Sequence, residues 1–321
     1  MTRWLVGWAL VVAVGAGCAP PVADLKPTLA ATDAGGLWFA SAGSLVRSGL
    51  RLVPGDTIAI SGDLDFPSGA GPFPAVILAH GCGGIGVVQT AWAQVLRQWG
   101  YATFVVDSFR GRGLAEVCTS AATLTGIQRI PDAYGALRVL ATHPRIDARR
   151  IALMGFSHGG SLTLGASTVW ARDMYATAGQ PSFRAFVAFY PSCNVIYPER
   201  ERVSAPLRIH SGDVDDWTPA APCIELAQLL KAAGQDATIT VYAGSHHGFD
   251  AIGRGYVRLP NVESGAACTL RAASILGPLL SLSELRSCRR KGATIAWNPD
   301  ATEQARRNVR AQLAELLALL N

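Results

Sequence analysis

The chemistry this chain can do is concentrated around Ser157, in the run Gly155-Phe156-Ser157-His158-Gly159. A serine hydroxyl attacks a carbonyl only when a base takes its proton and an acid orients that base. Both partner types follow downstream. A loop after residue 211 holds Asp213, Asp215 and Asp216, and a second loop holds His246 and His247. The order Ser, Asp, His along the chain is the one that goes with a Gly-x-Ser-x-Gly nucleophile. Glycines flank such a serine because the turn beneath it is tight and the backbone crowded. Gly155 and Gly159 meet that need, with Gly160 in support. This pattern predicts two-step acyl transfer.

These loops need a frame to hold them, and the chain predicts one. Short apolar runs of buried-strand type cover Pro74–His80, Tyr101–Asp107, Arg150–Gly155, Phe183–Tyr190, Leu207–Ser211 and Thr238–Tyr242. Helical patterns lie between them, at Thr90–Gly100 with Thr90 as N-cap, Asp132–Thr142 opened by Pro131, His158–Tyr175 and Pro219–Ala233. Strands alternating with helices predict an α/β fold with a doubly wound, mostly parallel sheet and helices on both faces. Ser157 then sits on a strand-to-helix turn. The Asp and His loops fall at C-terminal strand ends, where such sheets build their sites. Ala301–Leu320 closes the chain as a core-packing helix, and residues 256–300 read as irregular, either a lid or a disulfide-tied flank.

Three stretches together resemble the dienelactone hydrolase family: Gly-Phe-Ser-His-Gly-Gly at 155–160, Ser-Gly-Asp-Val-Asp-Asp-Trp-Thr-Pro at 211–219 and Ser-His-His-Gly-Phe-Asp at 245–250. His80-Gly-Cys-Gly-Gly and Val106-Asp-Ser-Phe-Arg-Gly-Arg-Gly are similar to its secreted bacterial branch. The resemblance spans residues 55 to 255 and implies the α/β-hydrolase fold. The name-giving enzymes carry a cysteine nucleophile, whereas position 157 is Ser, which points to a general esterase rather than to the dienelactone substrate. The family's Gly-x-x-Asp, counted from Gly212, maps the acid onto Asp215, leaving Asp213 and Asp216 as turn-formers or hydrogen-bond partners. Its His before a small residue and Phe maps to His247, with His246 as the rival.

Two backbone donors should stabilise the oxyanion. The fold assigns one to His158, after the nucleophile, and the other to the loop after Pro74–His80, at Cys82 with Gly83 next. His80 is expected to brace that loop, and His143 and His210 to be structural. Arg110 and Arg112 are candidates for binding a substrate carboxylate, and Phe156 and Trp217 for lining an acyl pocket. The expected partner is a small-molecule ester, with no cofactor. A peptidase, a polyester depolymerase or a non-catalytic binding protein are the alternatives on the same frame.

Composition fits this reading. The chain has 321 residues, 50% hydrophobic and 16% charged, enough for one sizeable core. Net charge is +5, but the basic residues are scattered, which argues against nucleic-acid binding. Met1–Arg3 gives a short positive start, Trp4–Ala16 is an uncharged apolar run, and Gly17-Cys18 and Pro20-Pro21 break it. That is a secretory signal pattern. Ala16-Gly17-Cys18 also resembles a bacterial lipobox, which would make Cys18 a lipidated residue and the membrane a partner through that anchor alone. The expected organisation is a signal segment at 1–18, a tether and irregular lead-in at 19–55, a hydrolase core at 56–255, and a flank with closing helix at 256–321. The expected location is outside the cytoplasm, as a periplasmic protein or a membrane-anchored lipoprotein of a bacterium.

Export makes the other six cysteines candidates for disulfides. Proximity favours Cys268–Cys288, and the fold favours Cys82–Cys118 and Cys193–Cys223. No Cys or His spacing forms a metal pattern. A rival motif overlaps the oxyanion loop: Gly81-Cys82-Gly83-Gly84-Ile85-Gly86 is a G-x-G-x-x-G after a strand, with Asp107 at the end of the next one. It would bind a dinucleotide if a helix began at once. The helix signal starts only near Thr90, and this reading leaves the Ser, Asp and His loops unexplained.

Overall fold

A computed structural model describes residues 19–43, 45–48, 51–271 and 287–318. Cys18 and the apolar run before it lie outside the described residues.

Eight strands form the central sheet: β1 (Gly35–Ala42), β2 (Thr57–Asp65), β3 (Phe73–Ala79), β4 (Ala102–Asp107), β5 (Ile146–Phe156), β6 (Ala185–Phe189), β7 (Leu207–Gly212) and β8 (Ala237–Tyr242). Their spatial order is β1-β2-β4-β3-β5-β6-β7-β8. β2 runs antiparallel to β1 and β4, and the remaining pairs are parallel. The helices are α1 (Val87–Gln98), α2 (Ile130–Leu140), α3 (His158–Ser167), α4 (Val169–Tyr175), α5 (Ala220–Ala232) and α6 (Pro299–Leu316). This is the doubly wound α/β-hydrolase arrangement.

The central strands are apolar on both faces because both are covered. Along β3, Ala75, Ile77 and Ala79 meet the cluster that includes α2, α3 and α5 residues, while Val76 and Leu78 meet Trp92 and Leu96 of α1 and Val309 and Leu313 of α6. Each Val, Leu or Ile side chain among these removed from water is worth about 1.5–3 kcal/mol, so these two layers hold the sheet in place beneath its loops.

Several expected boundaries move. Residues 35–42, read as part of an irregular lead-in, are the edge strand β1. Phe39 and Ser41 are buried between more exposed neighbours, an alternation hidden by the Gly, Ala and Ser around it. The helix expected over 158–175 breaks at Thr168, which is extended (ψ 148°); its hydroxyl caps the next helix by accepting from Ala171 N–H. The flank is not wholly irregular, since β9 (Val257–Ser264) pairs antiparallel with β10 (Arg290–Ile295). Three disulfides join Cys82–Cys118, Cys193–Cys223 and Cys268–Cys288, the expected pairings. They suit an oxidising environment.

Helix α1 starts at Val87, directly after Gly86, whose N–H donates to Gln89 Oε1 at 3.0 Å. Thr90 is therefore inside the helix, its hydroxyl turned back to the Gly86 and Val87 carbonyls. The gap expected between the glycine loop and the helix does not exist. What sets this loop apart from a dinucleotide cradle is its cover: Val117 N–H donates to Cys82 O at 2.8 Å, and the Cys82–Cys118 bond lies across the loop. Asp107 turns inward to the Phe109 and Arg110 N–H groups.

Candidate active site

Ser157 stands between β5 and α3 with φ 55° and ψ −114°, a left-handed strain that a non-glycine residue holds only where its surroundings enforce it. They do so here. A Cβ at Gly155 would sit 2.1 Å from Gly159 O, and one at Gly159 would sit 2.1 Å from Ala79 O. Only glycine allows β3, β5 and α3 to converge this closely. Ser157 N–H is tied to Phe189 O at 2.9 Å.

A continuous hydrogen-bonded chain starts at this serine. Ser157 Oγ lies 2.8 Å from His247 Nε2, and His247 Nδ1 lies 2.8 Å from Asp215 Oδ2. Asp215 is 5% exposed, and its Oδ1 accepts from the Trp217 and Thr218 N–H groups, each at 2.8 Å. A carboxylate held by two backbone donors keeps Oδ2 free for imidazole. The Thr218 hydroxyl is 3.0 Å from that same oxygen and 2.9 Å from Tyr190 O. The imidazole itself lies between the Tyr190 ring (4.7 Å) and the Trp217 ring (4.8 Å). Thr218 belongs to the 211–219 stretch, but nothing in that stretch marks it as a partner of the imidazole, and Tyr190 sits in no recognisable motif. Tyr190 carries one local signal, in that it directly follows the apolar β6 run.

The competing residues are engaged elsewhere. Asp213 accepts from Ser245 N–H at 3.2 Å, as a turn-former would. Asp216 pairs with Arg258 at 2.8 Å and accepts from the Thr294 N–H and hydroxyl, so it anchors β9 and β10. The His246 ring lies against Tyr256.

The directions of the two expected oxyanion donors, the His158 and Cys82 N–H groups, follow from how their peptide carbonyls are held. In a trans peptide the C=O and the following N–H point in opposite directions. Ser157 O accepts from Ser161 N–H at 2.8 Å, inside α3, which turns the His158 N–H out of the helix start. Gly81 O is held at 2.7 Å by His80 Nδ1, while His80 Nε2 accepts from Ser108 N–H at 3.2 Å. That bond fixes the Cys82 N–H in the opposing direction. His80 thus braces the loop. His158 offers Nδ1 to Arg129 (2.7 Å) and Nε2–H to Leu124 O (2.9 Å), so its ring is occupied on both sides.

A pocket of about 250 Å³ opens beside Ser157, His158 and Cys82. Its walls are mostly apolar, with Val117, Ala122, Ile127, Val195, Tyr197, Trp217 and Leu270 among them. Glu263, Arg271 and Arg289 add charge, and Arg289 pairs with Glu263 at 2.8 Å. Trp217 lines the pocket as expected, its Nε1–H bound to Glu263 O.

Three sequence candidates are not in this pocket. Phe156 is 1% exposed and packs on Trp92 and Phe189, because it shares the face of β5 with Ala152 and Met154. Arg112 grips Asp132 with both terminal nitrogens (2.8 and 3.0 Å) and donates to Ser108 O. Arg110 lies over the Trp38 ring of edge strand β1. The arginines that do reach the pocket, Arg271 and Arg289, come from the flank, where no motif marks them. Among the described residues no group of His, Cys, Asp and Glu is arranged to hold a metal ion.

Burial keeps three histidines neutral. The pKa of His80 falls well below its ordinary value, that of His158 to about 3 and that of His210 to about 4, in each case chiefly through loss of solvent. Unfolded histidine takes up a proton near pH 6.5, whereas these do not. Below that pH the unfolded state binds more protons, so stability falls as pH falls. His158 and His210 each contribute about 1.4 kcal/mol per pH unit between roughly pH 6 and 4, and His80 acts in the same direction. Asp250 opposes this, since burial raises its pKa and acid favours its folded form. Urea midpoints at pH 7 and pH 5 check the balance; equal midpoints would contradict the expected loss at pH 5.

Residues 60–272 match the family model described as the dienelactone hydrolase family. A curated relative from a Bradyrhizobium species, assigned as a 2-oxo-3-(5-oxofuran-2-ylidene)propanoate lactonase, is 23% identical over 201 residues, covering 57% of this chain and 76% of its own. A candidate dienelactone hydrolase from Klebsiella pneumoniae superposes with TM-score 0.55 at 18% identity, over 87% of this chain and 99% of that one. A dienelactone hydrolase-like promiscuous phosphotriesterase from metagenomic libraries gives 0.52 at 15% identity, over 88% and 99%. At these identities the two structures show the shared fold.

Proposed function

Because the chain belongs to the dienelactone hydrolase family, we propose that its hydrolysis of carboxylic esters or lactones runs through Ser157, with His247 as base and Asp215 as orienting acid. The observation carrying this reading is the unbroken chain Ser157 Oγ, His247 Nε2, His247 Nδ1, Asp215 Oδ2, with both polar contacts at 2.8 Å. His247 takes the serine proton as Oγ attacks the carbonyl, and the imidazolium is stabilised by Asp215. The tetrahedral oxyanion is met by the His158 and Cys82 N–H groups, each such donor typically worth about 10²–10³ in rate. The proton on His247 then leaves with the alcohol. Water repeats the sequence on the acyl-enzyme, and a lactone differs only in that its alcohol stays attached.

The lining of the pocket favours an uncharged acyl group. On p-nitrophenyl esters of rising acyl length, kcat/KM is expected to increase from acetate toward medium chains, by up to about fourfold per methylene, the worth of about 0.8 kcal/mol per buried CH₂. It should fall once the chain outgrows the pocket. A flat profile would show that the acyl chain does not enter it. Export fits the three disulfides and the apolar run at 4–16. Cys18 is the residue we propose for lipidation; globomycin-sensitive processing lost in Cys18→Ser tests it.

A further inference from the structure

One charged side chain near the site has no carboxylate partner. Arg129, at the start of α2, is 0% exposed. One terminal nitrogen donates to His80 O at 2.9 Å and to His158 Nδ1 at 2.7 Å. Its Nε and its other terminal nitrogen have no hydrogen-bond partner. The guanidinium lies 5.3 Å from the Phe109 ring centre, and the neighbouring Asp132 is taken up by Arg112. A core position that only needed filling would be more stable with an apolar side chain, because a buried cation loses its hydration. Burial pulls its pKa down to about 9, with Asp132 pushing the other way, so it stays charged at neutral pH.

The two groups it holds belong to opposite halves of the oxyanion hole. His80 leads into the loop that ends in the Cys82 N–H, and His158 carries the other N–H. The halves sit against each other: a Cβ at Gly81 would lie 3.5 Å from Ser157 Cβ, and one at Gly159 would lie 2.6 Å from His80 O. Nothing covalent connects them on this side, and Arg129 is the residue that hydrogen-bonds to both.

We propose that Arg129 is a positioning residue for the oxyanion hole, clamping the His80 carbonyl and the His158 ring so that the two N–H donors converge on one point. It also places a fixed positive charge behind the site where negative charge develops. The proposal rests on the reading of Ser157 as nucleophile. Because the oxyanion exists only after attack, losing the clamp should lower kcat and leave ground-state binding largely intact.

The test uses the full chain, with Arg129→Met and Arg129→Lys assayed on a neutral p-nitrophenyl ester. Arg129→Met is expected to lower kcat about 10²-fold, roughly the worth of one oxyanion donor, with KM changed by less than about threefold. Binding of a trifluoromethyl ketone, which forms an anionic tetrahedral adduct on serine, should weaken by the same factor. Binding of the corresponding carboxylic acid product should not. Arg129→Lys, which keeps the charge and reaches one partner, should recover about half of the loss on a logarithmic scale. The inference is overturned if folded Arg129→Met keeps kcat within about threefold of wild type, or loses kcat with unchanged ketone affinity. If Arg129→Met does not fold, Arg129→Lys alone decides by the same ratio of kcat and ketone affinity. Wild-type protein lacking esterase activity would instead remove the nucleophile assignment on which all of this stands.

Discussion

Ser157→Ala is expected to lower kcat by about 10⁶-fold, the scale reached when a serine nucleophile is removed from an acyl-transfer triad. The change deletes one oxygen and little else. Ser157 already holds φ 55°, and alanine meets the same backbone strain, so the elbow keeps its shape and the melting temperature should move by no more than a few degrees. What disappears is the atom 2.8 Å from His247 Nε2. Residual rate over water would come from the oxyanion donors and the pocket. Labelling by a fluorophosphonate should vanish together with ester turnover, since both need the same oxygen. A variant that keeps more than about one per cent of wild-type kcat, or is still labelled, would move the nucleophile elsewhere. Ser161 and Ser192 are the other serines that line the pocket. Ser161 Oγ, however, is engaged with Ser157 O and Ser192 N–H, and His247 Nε2 faces Ser157.

The elbow was legible in the sequence for a physical reason. A turn this tight admits only glycine at 155 and 159, so the requirement is written in residue types at fixed spacing. Cysteine pairing was legible because few partners exist once strand order is set. Side-chain direction was harder. Phe156 adjoins the nucleophile in sequence, but the period of two sends it to the opposite face of β5, with Ala152 and Met154. That parity could have been counted. The Arg110 and Arg112 assignments failed because a loop position says nothing about where a long side chain ends. Arg112 curls back onto a buried carboxylate twenty residues on. Edge strand β1 was missed because its small residues weaken the alternation that marks a strand. Arg129 left no signal in the sequence, Tyr190 only its place after an apolar run and Thr218 only its place in the 211–219 stretch, because their roles come from contacts between segments far apart in the chain: Arg129 reaches residues 80 and 158, and Thr218 reaches 190 and 247.

The choice between neighbouring carboxylates gives the second large effect: Asp215→Asn should lower kcat about 10⁴-fold, and Asp216→Asn should leave it within about threefold of wild type. The difference lies in what each oxygen faces. Asp215 Oδ1 accepts from two backbone N–H groups, so an asparagine there must keep its carbonyl oxygen on that side. Its NH₂ then takes the place of Oδ2, pointing at His247 Nδ1. Two donors cannot share that contact, so imidazole turns to the tautomer with Nδ1 as acceptor and Nε2 protonated. In that form Nε2 cannot accept the Ser157 proton, and geometry is preserved while the base is lost. KM should change little, because nothing in the pocket wall has moved. Asp216 faces Arg258 and Thr294, with its side chain 40% exposed, so its loss loosens the β9–β10 flank rather than the imidazole. Its variant should show a lower melting temperature and a near-normal kcat. The opposite pattern, a crippled Asp216→Asn beside an active Asp215→Asn, would mean that the imidazole is oriented from the flank in the working enzyme.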